Sequence, residues 1–586
     1  MKNTLEETLI KTSRYEELLN KLEEKLRVLG SFPKILIDNT ESKCYENFRK
    51  VFNRRYDFRP AIIVLVETKE QVSTIVQFVN DHKSKIALTV RSGGHDHEAE
   101  CSGTDTLLID FSKMNAVKVF HNNKELNIKN LVTIGPGARF IDIKKKLDNV
   151  NLGIPHGSCA SVGIAGFTMG GGWGPWTRKY GMACESLVAA DVVLGDGEII
   201  KVTHNDDPNS RDGKILWALR GGGGLSYGIV TKLYFKAFEL PKVVYTFMLP
   251  INHTITIHLK GGVKQYRFEM TAVKAIEKWE RLIACDNIPN LMGTNLKVQA
   301  EHLSKSETPN PDAYLKCSFN GTFAGTRKEL EKFIETNFDK EMVQVMTIEL
   351  LLYHKSDMEK EKEQNTINWP FDSWDRAVKS KNGITTYNLN YNEGQDFHHL
   401  MIGGSGPAPH KISSKVVSEK GWDEEDRKKL IMSLQSHLLP PKTDSNKDFG
   451  VDAFITLGAI SGEFYANYNK YKDAIGSAMP YKKRPFIIQY QAWWNQFLNF
   501  ENEEKKGDHK KEQFIENRMH SNRAQDWIET CRNTQIENTD GSFISFKDNS
   551  IPTETYFGEN YDDLINVKLE QSQDHNLLFR TRKTII

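Results

Sequence analysis

Three glycine-rich stretches in the first 235 residues constrain this chain more than any other feature. They are "VRSGGHDHEAECSG" (90–103), "GIPHGSCASVGIAGFTMGGGWGPWTRKYG" (153–181) and "LRGGGGLSYGIVTKLYF" (219–235). Glycine has no Cβ, so the backbone can approach a ligand closely and successive N–H groups can converge on an anion. A tight turn explains one such stretch; three in succession point to a large anionic ligand lying along the chain. The segments before the first stretch alternate in type. "AIIVLVE" (61–67) reads as a strand, and Thr68 caps a helix in which Val72, Ile75, Val76 and Val79 recur at helical spacing. "KIALTV" (85–90) is a second strand that runs straight into the first glycine loop. The order resembles a dinucleotide-binding unit, yet neither GxGxxG nor GxxxxGK[ST] occurs in the chain, so a doubly wound fold lacks its phosphate fingerprint.

At 586 residues the chain is too long for one hydrophobic core, and two or more domains are expected. The 78 basic and 77 acidic residues nearly cancel, which gives no long-range field toward nucleic acid or an anionic membrane. Seven scattered cysteines make no disulfide framework and favour a reducing compartment. The N-terminal stretch has leucines 18, 19, 22 and 26 at helical spacing among charges, without the apolar core of a secretory signal. A cytoplasmic protein is therefore expected, with the sequons at Asn252 and Asn320 unused. "LVAADVVLGDGEIIKV" reads as a hairpin turning at Asp196-Gly197. Beyond residue 240 the glycine clusters stop and a second domain of mixed helix and strand begins, with a charged helical excursion over 501–533.

The loop 90–103 poses a question of its own. His95 and His97 alternate, so on an extended segment both face one side, with Cys101 within reach around a turn. A metal could use them, but the paired spacings of zinc sites are missing. "GLSYG" (224–228) matches the GxSxG nucleophile elbow in letters only. The elbow needs a helix after Ser226, and "IVTKLYF" reads as a strand.

Taken together, "VRSGGHD", "GSCASVGIAGFTMGGGWGPWTRKYG" and "WALRGGGGLSYGIVT" resemble, in order and spacing, the berberine-bridge-enzyme-like flavoproteins of the vanillyl-alcohol-oxidase superfamily. "SAMPYKKRPFIIQYQAWW" (477–494) and "ETYFGENYDDLINVK" are similar to that family's substrate-domain strand and closing segment, so the likeness runs from about residue 55 to the end. The resemblance implies an α+β chain with a PCMH-type FAD-binding fold in two domains. It divides into an N-terminal helical extension (1–54), an FAD-binding domain (55–240), a substrate domain of antiparallel sheet covered by helices (241–545) and a C-terminal segment returning to the cofactor (546–586). It implies FAD bound covalently twice, through His95 at the 8α-methyl and Cys159 at C6. Arg91, Ser92, Gly93, Gly94, Asp96, Gly163, Gly166, Gly170, Gly171, Gly172, Gly174, Gly228 and Ile229 are then cofactor-binding, with Tyr556 and Asn560 closing the domain. His97 and Cys101 become bystanders or supports behind the residues that touch the cofactor.

The activity implied is two-electron oxidation of a C–H beside oxygen or nitrogen in a sugar, alcohol or secondary metabolite. A base takes the acidic proton and the flavin takes the hydride. The resemblance also implies oxygen as the acceptor, because in that family the residue three positions after the tethering cysteine, here Val162, lines the approach of oxygen, and a valine leaves room where a leucine tends to block access. A dehydrogenase using another acceptor is the alternative. The departures from the family are Ala165-Gly166-Phe167 for GGH, Ser226-Tyr227-Gly228 for NFG, and Phe543-Ile544-Ser545-Phe546-Lys547-Asp548 for YxNYxD. The last removes a tyrosine that deprotonates substrate in relatives. Either catalysis is lost or the base has moved, and on "FIIQYQAWW" only one of Gln489 and Tyr490 can face the cofactor. Tyr490, as a phenol, is the expected base.

Overall fold

The computed structural model describes residues 2–38, 43–259, 262–284, 288–352, 409–440, 451–494, 509–583 and 585. Cys285 and residues 501–508 of the charged excursion lie outside them; from His509 to Asn533 that excursion is helical. Four strands form the first sheet: β1 (Lys34–Ile37), β2 (Ile62–Leu65), β3 (Ala87–Arg91) and β4 (Thr106–Asp110), in the order β1-β2-β4-β3. β2, β4 and β3 run parallel, and β1 adds antiparallel at the edge, so the N-terminal extension joins this sheet rather than standing apart. Every residue of β2 is buried, as expected of a parallel strand covered on both faces.

Helix α1 (Lys2–Arg27) and helix α2 (Lys69–Asp81) cover this sheet. The Thr68 hydroxyl accepts from Gln71 N and caps α2. Val72, Ile75, Val76 and Val79 share a core with Leu18, Leu22 and Leu26 of α1 and with Val193 and Ile229 of the next sheet. That second sheet is antiparallel throughout, with strands β5 (Val117–Asn123), β6 (Ile128–Ile134), β7 (Leu187–Val193), β8 (Ile199–Thr203) and β9 (Ile229–Lys236) in the order β5-β6-β9-β7-β8. β7 and β8 are the expected hairpin, with Gly197 at φ +91°.

The chain from residue 243 onward builds a third sheet of eight antiparallel strands. They are β10 (Val243–Ile251), β11 (Leu291–Gln299), β12 (Cys317–Ala324), β13 (Thr347–Leu352), β14 (His410–Val417), β15 (Val451–Ala459), β16 (Phe486–Trp494) and β17 (Thr539–Asp540), ordered β13-β10-β12-β11-β15-β16-β14-β17. One face is apolar. Leu296, Phe319, Ile455, Leu457, Ile488 and Tyr490 pack there against helices α3 (Ala272–Ala284), α4 (Arg327–Asn337), α5 (Glu424–Ser433) and α6 (His509–Asn533). The other face turns toward the glycine loops. After β17 the chain returns to the first half: Tyr556, Phe557, Leu564 and Val567 enter the core of the second sheet, and Leu578 and Phe579 that of the first. Among the described residues no helix is long and apolar enough to cross a membrane.

Candidate functional site

A cavity of about 630 Å³ lies between the glycine loops and the open face of the third sheet. That is within the range of roughly 300–1,000 Å³ seen for small-molecule and cofactor sites. Its floor is mostly backbone. The loop leaving β3 and the loop after Cys159 touch at Gly93 and Gly163, where a Cβ on either glycine would run into the backbone of the other. Only two glycines allow this approach, and it places His95 and Cys159 on neighbouring loops that both line the cavity. Gly166 also lines it, and a Cβ there would meet nothing within 4 Å, so the wall is open at that point.

His95 stacks on Phe52, with ring centroids 4.0 Å apart. Burial, aided by the Arg139 and His97 charges, holds its pKa well below the usual histidine value, so the imidazole is neutral and nucleophilic. The acids of the same loop are occupied. Asp96 Oδ1 accepts from Glu98 N and Glu100 N, and the Lys547 ammonium lies 2.7 Å from Asp96 and 2.9 Å from Glu100. Asp96 is half-buried, and its loss of water by itself would raise its pKa. Lys547 overcomes this and leaves it below the ordinary carboxylate value, while the paired carboxylates hold the lysine's pKa up. Cys101 lines the cavity as a thiol, its pKa pushed up to about 12 by burial. Among the described residues no three His, Cys, Asp or Glu side chains gather as a metal-binding group.

Of the other residues singled out from the sequence, Ser92, Gly94, Val162, Gly170, Gly174, Gly228, Ile229 and Gln489 line the cavity. Arg91 does not: it makes a buried ion pair of 2.7 Å with Asp110, its neighbour across the β3–β4 pair. Gly171 and Gly172 stand behind the wall with φ of +101° and +84°, and their carbonyls accept from Cys184 N and Ala183 N to fold a turn. Tyr556 and Asn560 also stay outside. The Tyr556 hydroxyl accepts from Asp548 N and donates to Asp548 O, and Asn560 donates to Ala478 O, so both pin the returning segment. Ser226 is buried and is followed by strand β9, so no elbow forms.

Tyr490 requires a correction. On β16 the side chains of Gln489, Gln491 and Trp493 face the cavity, and Tyr490 turns the opposite way into the core under the sheet. It is fully buried, its hydroxyl has no hydrogen-bond partner, and burial raises its pKa. A phenol placed there cannot reach anything in the cavity. The two-residue period of the strand forces this outcome once Gln489 faces inward.

The remaining wall is a side-chain surface that sequence reading missed. Alternate residues of β11, β12, β15 and β16 present Asn295, Lys297, Ser318, Asn320, Thr456 and Gln491, flanked by Trp173, Phe454 and Trp493. Asn320 Nδ2 donates to Asn295 Oδ1 at 2.9 Å, and Trp493 Nε1 donates to Gln491 Oε1 at 3.1 Å. The Lys297 ammonium sits 3.5 Å from the centre of the Phe454 ring. The signal that could have found this face is the alternation in "TNLKVQ" and "CSFNGT", polar on one side and apolar on the other. Also missed were Lys547 and the buried His410, whose Nε2 lies 3.0 Å from His97 Nδ1.

Comparison with known proteins agrees with this geometry. Residues 60–203 match a family described as an FAD binding domain. The chain is 28% identical over 298 residues to the glucooligosaccharide oxidase of Sarocladium strictum, covering 50% of this chain and 51% of that protein. It is 26% identical over 411 residues to berberine bridge enzyme-like D-1 of Nicotiana tabacum, covering 64% and 66%. The matched stretches thus span between half and two thirds of these relatives. The solved structure of the Acremonium strictum glucooligosaccharide oxidase, with its 6-S-cysteinyl, 8α-N1-histidyl FAD, superposes with a TM-score of 0.65 at 18% identity, over 96% of this chain and 98% of that one. That likeness is one of fold. The residues present here fit an FAD: the glycine floor has little side chain to block it, Gly166 opens onto free space, and Cys159 lines the same cavity as the neutral imidazole of His95.

Proposed function

On the premise that the chain belongs to the berberine-bridge-enzyme-like FAD-binding proteins, we propose that it is an FAD-linked oxidase of a carbohydrate-like polyol. In this reading the cofactor is tethered by both His95 and Cys159. The observation that carries it is a single cavity whose floor is glycine backbone bearing His95 and Cys159 and whose roof is an amide- and hydroxyl-rich sheet face. Such a roof suits a neutral ligand dense in hydroxyls, because Asn and Gln both donate and accept, and aromatic rings cover the apolar faces of a sugar. Two relatives are named for glucooligosaccharide and chitooligosaccharide oxidation.

The flavin, when bound, supplies a ring nitrogen that accepts hydride. The protein's part is positional. Ser92, Gly93, Gly94 and Gly170 would lie along the phosphates and the ribityl chain, and the two tethers would fix the ring. Asn295, Asn320, Gln489 and Gln491 would orient the sugar with the reacting carbon toward the glycine floor. Val162 lines the cavity and leaves room for oxygen as the acceptor.

Anaerobic holoenzyme mixed with cellobiose or chitobiose is expected to lose its flavin absorbance, and to regain it in air with release of hydrogen peroxide. Coniferyl alcohol is expected to act far more slowly. Bleaching by coniferyl alcohol alone would reject the polyol reading, and bleaching by a sugar with no recovery in air would favour a dehydrogenase. A wild-type flavin that no donor bleaches, but that Phe546→Tyr makes reducible, would identify an inert flavoprotein.

A further inference from the structure

We propose that His97 and His410 act as a proton-accepting pair, with His97 Nε2 taking the proton of the substrate hydroxyl and His410 as the positioning residue behind it. The inference rests on the oxidase reading above and names the group that reading leaves open.

His97 lines the cavity on the loop that carries His95, and His410 opens strand β14 on the opposite domain. Their rings meet at 3.0 Å, Nδ1 of His97 to Nε2 of His410, with interplanar angle 77°. The pair is built rather than incidental. Asn53, fully buried, donates from Nδ2 to the carbonyls of both His97 (2.6 Å) and His410 (3.0 Å), and its Oδ1 accepts from His410 N at 3.2 Å. Trp493 backs His410 at a centroid distance of 4.0 Å and is its partner across the β14–β16 pair. The bond to His410 occupies Nδ1 and leaves Nε2 of His97 to the cavity.

Elimination narrows the choice to the same group and Lys297, whose ammonium lies over the Phe454 ring. Phe546, at 6.2 Å from the His97 ring, cannot accept a proton. Tyr490 faces away, His95 and Cys159 are the proposed tethers, and Asp96 and Glu100 are bound by Lys547. Cys101 remains a protonated thiol. For Nε2 to accept, the neutral His97 carries its proton on Nδ1 and donates it to His410 Nε2, one of the two arrangements this contact admits. In the step, the substrate O–H bond breaks as N–H forms on Nε2. The carbon's hydride leaves with its two electrons to the oxidised flavin, the alcohol becomes a carbonyl, and the proton stays on the pair until solvent removes it.

The charges facing the pair are Asp96 beside His97, Lys547 with its partners Asp96 and Glu100, and Lys411 beside His410. The Lys411 ammonium is engaged by Glu529 at 3.0 Å and lies 3.8 Å from Asp548. Burial prevails over these opposed charges and draws His97 down to about 4, so the imidazole is ready to accept at neutral pH. The rate of flavin reduction should therefore rise with pH through that low value and be flat around neutrality.

The test uses flavin-loaded full-length protein, with tethering verified by colour retained after acid denaturation. With cellobiose or chitobiose under anaerobic conditions, His97→Gln is expected to slow flavin reduction by about 10²–10⁴-fold at little-changed sugar affinity, and adding Phe546→Tyr should restore part of the rate. His410→Phe, which keeps the stack on Trp493 and removes the acceptor, should slow reduction about tenfold and move the acid limb to lower pH; His410→Gln serves if it fails to fold. Reduction by His97→Gln within about threefold of wild type, well short of a lost general base, would overturn the proposal. A second arm needs no substrate: in protein labelled with [¹³Cε1]histidine, the His97 and His410 resonances should titrate together, and the His97 titration should shift in the His410 variant. Independent titrations would overturn the pair. Wild type that neither sugar bleaches would count against the polyol reading and leave this second arm to decide the pair.

Discussion

The two walls of the cavity are made of different material. The floor, from the loops at 92–103 and 159–174, is mostly backbone, brought close by glycines and backed by turns. The roof, from β11, β12, β15 and β16, is side chain on every second residue of a sheet whose reverse side is a hydrocarbon core. Backbone tolerates almost no substitution where two chains touch, because a Cβ has nowhere to go. A strand face tolerates many, because each side chain stands over open space while its neighbour holds the core. The floor is thus suited to a fixed cofactor and the roof to a substrate that varies between relatives.

The comparison breaks most completely at the tethers. Acid-precipitated wild type should stay yellow, with flavin mapped to peptides containing His95 and Cys159. Either single alanine variant should keep one bond, and the double variant should release all its flavin. Quantitative release from wild type would end the covalent reading. Next in size is Lys547→Met, which takes the cation from the half-buried Asp96 and leaves the buried Glu100 only Arg582 at 3.7 Å. A loss of about 3–5 kcal/mol is expected from a broken buried pair, read by chemical denaturation at pH 7. In wild type the depressed pKa of Asp96 gives stability that is present above the ordinary carboxylate value and is lost as pH falls through its lower folded value. In the variant that carboxylate titrates upward instead, so the gap to wild type should shrink between pH 7 and 4. A gap independent of pH would mean that the ion pair contributes little.

A smaller effect separates two glycines of the floor. Gly163→Ala drives a methyl into Gly93 and should cost about 1–3 kcal/mol with poorer flavin retention. Gly166→Ala meets nothing within 4 Å and should fold like wild type. Equal melting temperatures for the two variants would deny the floor its backbone contact. The smallest expected effect is at Tyr490→Phe. Removing a buried hydroxyl that has no partner should leave flavin reduction unchanged and stability equal or higher by up to about 1 kcal/mol. A large fall in reduction rate would return the base to Tyr490.

How far each wall could be read from the chain follows from the same contrast. Glycine clusters, the capped helix after Thr68 and the hairpin at Asp196-Gly197 are local facts, because each depends on dihedral preferences and hydrogen bonds among residues close in sequence. They were enough to indicate a large cofactor and, with the motifs at His95 and Cys159, which one. The face of β16 was not local. "FIIQYQAWW" allows either Gln489 or Tyr490 inward, and a shift of one residue exchanges every side chain between cavity and core. Pairing with β14 and β15 decided it.

The sequence by itself determined that this chain binds a large anionic cofactor on glycine-rich loops and that the tyrosine expected at position 546 is a phenylalanine. Only the tertiary structure decided what stands near that phenylalanine, because His97 and His410 are 313 residues apart and no spacing rule connects them. Their contact exists because Asn53 holds the backbones of a loop and a strand from different domains at once, and that meeting depends on how the sheets pack.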